Sequence, residues 1–166
     1  PGRSVNDILL GENSRHDDGL MASSYKFLGN EDLPFSRYTD QEFYDQEIKK
    51  VWSKVWQWAC REEHVKDPGD YYVYDVGPYS AMVIRDSEDR LRAYVNSCPH
   101  RGMAFFDPGS QGTGKQFLRC PFHGMSWNLD GSLREIPCRW DFPHVSDENF
   151  GLTEIPSGTW AGCLLY

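Results

Sequence analysis

Cys98 and His100 stand two residues apart in "CPHRGMAFF", and Cys120 and His123 stand three apart in "CPFHGMSW". Thiolate and imidazole are both metal ligands, and each pair lies in a turn punctuated by proline and glycine. Such turns hold side chains rigidly and let the backbone approach closely. Nineteen residues intervene between His100 and Cys120, and bringing the pairs together assembles four soft or borderline ligands. One tetrahedral zinc would accept these residue types, although zinc modules commonly group Cys with Cys and His with His. The mixed pairs also suit a two-metal object, in which each loop gives its thiolate to one ion and its imidazole to the other.

The remaining cysteines and histidines have a plainer reading. Cys60, Cys138 and Cys163 are expected as small hydrophobes, and His16, His64 and His144 as scattered, satisfied polar residues. Five cysteines in 166 residues lack the density of a secreted disulfide framework. A reducing cytoplasm is the expected compartment.

The elements that must position the pairs are mostly strands. Residues 1–37 are polar and rich in Gly, Ser, Asn and Asp, and are expected to form an extended arm. "TDQEFYDQEIKKVWSKVW" predicts an amphipathic helix within 38–58. Thr39 and Glu42 would form its capping box, and Tyr44, Ile48, Val51, Trp52 and Val55 its apolar face. From 59 to 166 the texture is short runs such as "YYVYDV", "AMVIR" and "LRAYV", separated by "DPGD", "GPYS" and "DSED". "NLDGSL" predicts a hairpin turn, because Asp-Gly adopts positive φ cheaply. The expected module is mainly β and antiparallel.

Lys and Arg total 17 against 25 Asp and Glu, a formal net charge of −8. That balance argues against nucleic-acid and membrane-surface partners, which call for basic patches. No apolar run is long enough to span a bilayer, and the N-terminal stretch does not read as a signal peptide.

The paired stretches "CPHRG" and "CPFHG" resemble the ligand loops of Rieske [2Fe–2S] proteins, where two histidines replace two cysteines on one iron. More widely, residues 35–166 resemble the α subunits of bacterial aromatic-ring-hydroxylating (Rieske non-haem iron) oxygenases. "RYTDQEFYDQEIKKVWSKVWQWAC" is similar to the helix before their Rieske domain, and "CPFHGMSWNLDGSLREIP" to their second loop and hairpin. The resemblance implies an antiparallel β-sandwich with a [2Fe–2S] cluster held by two loops at its tip. It implies that Cys98 and Cys120 bind one iron and His100 and His123 the other. Arg101, Gly102 and Gly124 are expected to shape the loops, with backbone N–H groups aimed at sulfide and thiolate. Trp127 is expected to pack over the cluster.

It further implies an electron-transfer role. An NAD(P)H-dependent reductase or a ferredoxin would supply the electron, and a mononuclear non-haem iron would receive it and activate O2 to hydroxylate an aromatic substrate. In the family that iron lies on a neighbouring α subunit of a trimer, in some members joined by a β subunit. Its ligands form a two-His, one-carboxylate triad, and the three unassigned histidines lack the usual Asp-x-x-His-x₄-His spacing. The catalytic mononuclear-iron domain, with its Fe(II), is therefore expected to be absent from this stretch of chain. A free-standing Rieske ferredoxin is the alternative.

One position and one loop depart from the family. Met125 stands where many relatives have Trp, and the loop before Cys120 is somewhat long. High-potential Rieske proteins place serine and tyrosine hydroxyls at the positions held here by Met125 and Trp127. Without those donors to the cluster sulfurs, the expected potential lies near the low end of the Rieske range, roughly −150 mV.

Overall fold

The computed structural model describes residues 5–11 and 31–166. These belong to two compact units, Pro1–Gln41 and Glu42–Tyr166. In the first, Val5–Leu10 forms a short helix, α1, where the sequence suggests an extended arm, and Phe35–Tyr38 forms a 3-10 turn. Residues 1–4 and 12–30 of the expected arm, His16 included, lie outside the described residues.

The helix expected within 38–58 is shorter than its pattern. α2 spans Gln41–Glu47 and widens into a π-helical turn over Ile48–Trp52. It starts at Gln41, so Asp40 rather than Thr39 takes the N-cap position. Its end has a local cause. The Ser53 hydroxyl bonds back to the Lys49 carbonyl (3.0 Å), a contact that loosens a helix. The buried Gln57 carboxamide then donates to the carbonyls of Trp52 (3.0 Å) and Val55 (3.2 Å), satisfying groups a continuing helix would have used. Of the apolar face, Ile48 alone is buried, while Tyr44, Val51, Trp52 and Val55 are exposed.

Ten strands follow: β1 (Trp58–Arg61), β2 (Tyr71–Val76), β3 (Tyr79–Arg85), β4 (Leu91–Val95), β5 (Gln111–Gly112), β6 (Leu118–Arg119), β7 (Ser126–Trp127), β8 (Leu133–Glu135), β9 (Gly158–Trp160) and β10 (Cys163–Leu165). They form three antiparallel sheets, ordered β4-β3-β2-β5, β1-β10-β9 and β6-β7-β8. The four-stranded sheet is the middle layer. Val73, Met82, Ile84 and Tyr94 enter a core shared with Cys98, Cys120, Met125 and Trp127. Val83 and Ala93 face the other way, onto Ala59, Cys60 and Leu164. Alternation along β3 thus serves two cores, and Ala81–Ile84 are all buried, as a strand covered on both faces requires.

The expected hairpin turn joins β7 to β8. Asp130 Oδ1 accepts the Ser132 N–H (2.9 Å) and hydroxyl (2.6 Å), and Gly131 has φ +84°. A Cβ at Gly131 would lie 2.7 Å from the Tyr94 ring, so the turn tolerates only glycine.

Candidate metal centre

The two Cys/His loops share one backbone design. In the first, the Cys98 N–H donates to the Met103 carbonyl (2.8 Å) and the Gly102 N–H to the Cys98 carbonyl (2.8 Å). In the second, the Cys120 N–H donates to the Met125 carbonyl (2.9 Å) and the Gly124 N–H to the Cys120 carbonyl (3.1 Å). Each loop reverses at a left-handed glycine, Gly102 with φ +72° and Gly124 with φ +75°. The expectation that these glycine N–H groups point at sulfur is corrected here, since both are committed to cysteine carbonyls. The N–H groups that reach the Cys98 sulfur belong to His100 and Arg101.

The loops come together at one end of the middle and β6-β7-β8 sheets. Cys98 follows β4 and Cys120 follows β6 directly. Both thiols are buried in the core and free, and the Cys120 thiol lies within hydrogen-bonding reach of Cys98. Burial pushes the Cys98 thiol up, as does the neighbouring Cys120, while the His100 and Arg101 N–H groups oppose the rise. The imidazoles sit further out: His100 is half-buried and His123 exposed, with ring centroids 4.9 Å apart. Partial burial, the His123 ring and the Arg101 guanidinium hold His100 below the usual histidine range. The Phe142 ring meets His100 edge-on (5.5 Å, 88°), and Phe122 lies against His123 (3.7 Å).

Thus the four ligand candidates gather as a buried thiol pair and an outer imidazole pair. Among the described residues, no three His, Cys, Asp or Glu side chains form a group suited to a single ion. A [2Fe–2S] cluster asks each iron for only two protein ligands, and a cysteine pair with a histidine pair is the Rieske donor set. The residues present fit that group. A tetrahedral zinc, needing all four on one point, fits them poorly.

Trp127 is fully buried and packs edge-on against Phe105 (5.3 Å, 88°). Its indole N–H donates to the Phe150 carbonyl (2.8 Å) and is not available to a cluster. Met125 is buried among the thiols, and Arg101 is exposed, with no ion pair among the described residues. Cys60 and Cys163 are core thiols as expected, whereas Cys138 is exposed, in a left-handed conformation (φ +56°, ψ +47°) before a 3-10 turn. Its place between a proline and an arginine, outside any apolar run, is the signal that could have shown this. Phe142 and Asn96, both close to the first loop's surroundings, carried no spacing that marked them.

The sequence and the fold are similar to those of known proteins. The profile described as "Rieske [2Fe-2S] domain" matches residues 55–146. Choline monooxygenase of Amaranthus tricolor is 36% identical over 133 residues, covering 80% of this chain and 29% of that protein. The α subunit of benzene 1,2-dioxygenase from Pseudomonas putida is 31% identical over 100 residues, covering 60% of this chain and 22% of the subunit. Among solved structures, the quaternary ammonium Rieske monooxygenase CntA with gamma-butyrobetaine superposes with a TM-score of 0.72. It is 26% identical, covering 80% of this chain and 37% of CntA. The match spans about three-tenths of the length of the choline monooxygenases.

Proposed function

The chain belongs to the Rieske [2Fe–2S] domain family, and from that premise we propose that it is the electron-relay domain of a Rieske non-haem iron oxygenase. Cys98 and Cys120 would hold one iron of the cluster, and His100 and His123 the other. The observation that carries the assignment is the inner thiol pair beneath an outer imidazole pair. A bound cluster of this kind supplies single-electron transfer between a reductase or ferredoxin and a mononuclear iron elsewhere in the oxygenase assembly.

The chain's own residues account for the rest. Burial of both cysteines keeps water from the thiolates and strengthens the N–H donation from His100 and Arg101 to Cys98. Two neutral imidazoles in place of two thiolates bring the donor set about two charges nearer neutrality than four cysteines, which makes an added electron easier to accept. Placing the imidazoles outermost puts that side of the site nearest a partner protein. Neighbouring α subunits, in a trimer with or without a β subunit, would provide the acceptor. Five free thiols suit a reducing compartment such as a bacterial cytoplasm. No helix among the described residues is long and apolar enough to cross a membrane.

The benzene dioxygenase match supports an aromatic substrate for the whole oxygenase. A second reading, a quaternary ammonium substrate, is favoured by the 36% identity to a choline monooxygenase and the superposition on CntA. Iron, sulfide and zinc analysis with EPR of the dithionite-reduced protein tests the cluster. Two irons and two sulfides with a Rieske-type spectrum are the expected result. Stoichiometric zinc, or a spectrum of all-cysteine ligation, would overturn it. Hydroxylation assays of the full oxygenase against arenes and choline-like amines separate the two substrate readings.

A further inference from the structure

The loops' resemblance stops at their bases. The second loop is closed by a strand ladder, with Arg119 paired to Ser126 and Leu118 to Trp127. Counting from each cysteine, the matching positions of the first loop are Ser97 with Ala104 and Asn96 with Phe105, and no strand joins them. At that place the Asn96 side chain intervenes. Its Oδ1 accepts the N–H groups of Phe105 (3.1 Å) and Phe106 (3.2 Å), and its Nδ2 donates to the Phe106 carbonyl (2.9 Å) and the Ser80 hydroxyl (3.1 Å). A primary amide has two donor hydrogens and two acceptor lone pairs, and all are used. Asn96 is itself 4% exposed, and its bond to the Phe105 N–H is fully buried, so a carboxamide lost here is poorly replaced by water.

From these contacts we infer that Asn96 is a positioning residue for the proposed cluster. Its carboxamide closes the base of the first Cys/His loop in place of the ladder that closes the second. The inference rests on the cluster reading above. It ties three segments together: the chain entering the loop, the chain leaving it, and β3 through Ser80. Phe105, fixed by one of these bonds, packs edge-on against Trp127, its counterpart behind the second loop. The two loop bases thereby hold a common spacing, and with it the distance between their cysteines. Removing the carboxamide frees residues 97–104 to sample other shapes while the β6-β7 ladder keeps the second loop in place.

The test uses the iron-loaded intact protein and compares Asn96→Ala, Asn96→Asp, Ser80→Ala and, as a remote core control, Leu164→Ala. The readouts are the EPR g-values of the reduced protein and the rate of iron release to a chelator, beside far-UV CD and thermal stability. Asn96→Ala is expected to keep its CD spectrum, broaden or shift the EPR signal and release iron about tenfold faster or more. Asn96→Asp keeps the size and both acceptor bonds but sets a carboxylate against the Phe106 carbonyl, and should fall between. Ser80→Ala, losing one bond of four, should stay within a fewfold of wild type. Leu164→Ala should lower thermal stability without changing the g-values. Asn96→Ala with a wild-type spectrum and release rate overturns the inference, as does release in all variants that simply follows thermal stability. Should Asn96→Ala fail to fold, wild-type behaviour of Asn96→Asp overturns it equally. A wild-type protein that binds no [2Fe–2S] cluster instead overturns the cluster reading, a separable outcome.

Discussion

The two Cys/His loops trace the same backbone path and present it to different surroundings. Both run Cys-Pro, turn at a left-handed glycine four residues after the cysteine, and return a carbonyl from a methionine five residues after it. Yet the first places its histidine at the second position after cysteine and the second at the third. His100 is half-buried beside Phe142, while His123 is exposed beside Phe122. The returning methionines divide likewise, Met103 being exposed and Met125 buried among the thiols. The turn inside each loop is therefore a local feature, written in two hydrogen bonds and one glycine, whereas what closes its base differs. Burial, and with it the electrostatic setting of each cysteine and histidine, comes from what the rest of the fold lays against the loop.

The largest effects should ignore this difference. If each loop gives one ligand to each iron, His100→Ala and His123→Ala must be equally damaging despite their unequal burial. Cys98→Ser and Cys120→Ser should be at least as severe. Each of the four is expected to eliminate the Rieske EPR signal, while Cys138→Ala, an exposed thiol outside both loops, retains it. Persistence of the native signal in either histidine variant would break the pairing.

Smaller changes should expose the difference. Met125→Ala removes a fully buried side chain and is expected to destabilise by about 2–4 kcal/mol in denaturant titrations. Met103→Ala, at the matching position with 44% of its surface exposed, should stay within about 0.5 kcal/mol. Equal losses would mean that the loops share their packing as well as their trace. Trp127→Phe sharpens the point, because it leaves the Phe150 carbonyl without its donor and should cost about 1–3 kcal/mol. Its midpoint potential in protein-film voltammetry should not move, since that N–H faces away from the cluster. Met125→Ser, adding a hydroxyl beside the thiols, should raise the potential.

What the amino-acid sequence made legible follows the same division between local and non-local causes. The two Cys/His loops, the β7-β8 hairpin and the strand texture are encoded in short-range patterns, and the structure contains them. The end of the helix has a local cause that no periodic pattern carries: the Ser53 hydroxyl bonding back to Lys49 and the Gln57 carboxamide reaching back to Trp52 and Val55. Periodicity located an apolar face at Tyr44, Val51, Trp52 and Val55 but carried no information on what covers it. Cys138 was misread because burial was assigned by residue type, whereas a left-handed turn carries this thiol to the surface. Asn96 had no visible motif at all. A single amide that replaces a strand pair looks like any loop asparagine until its four partners are in place.

The smallest effects test the shared trace itself. Gly102 and Gly124 have nearly the same positive φ, and the space around both accepts a methyl group. A Cβ at Gly102 would approach nothing closer than the Ser97 Oγ at 3.7 Å. At Gly124 its nearest neighbours would be the Arg119 guanidinium nitrogens at 3.4 and 3.5 Å, the end of a flexible side chain. With no steric term to separate them, each alanine substitution should carry only the left-handed backbone penalty, about 1–2 kcal/mol. Asparagine, which tolerates that conformation better, should recover part of it at both sites. Matched losses for Gly102→Ala and Gly124→Ala in chemical denaturation would support one backbone design used twice. A loss at one glycine several times that at the other would show instead that the loops are held by their neighbours and only look alike.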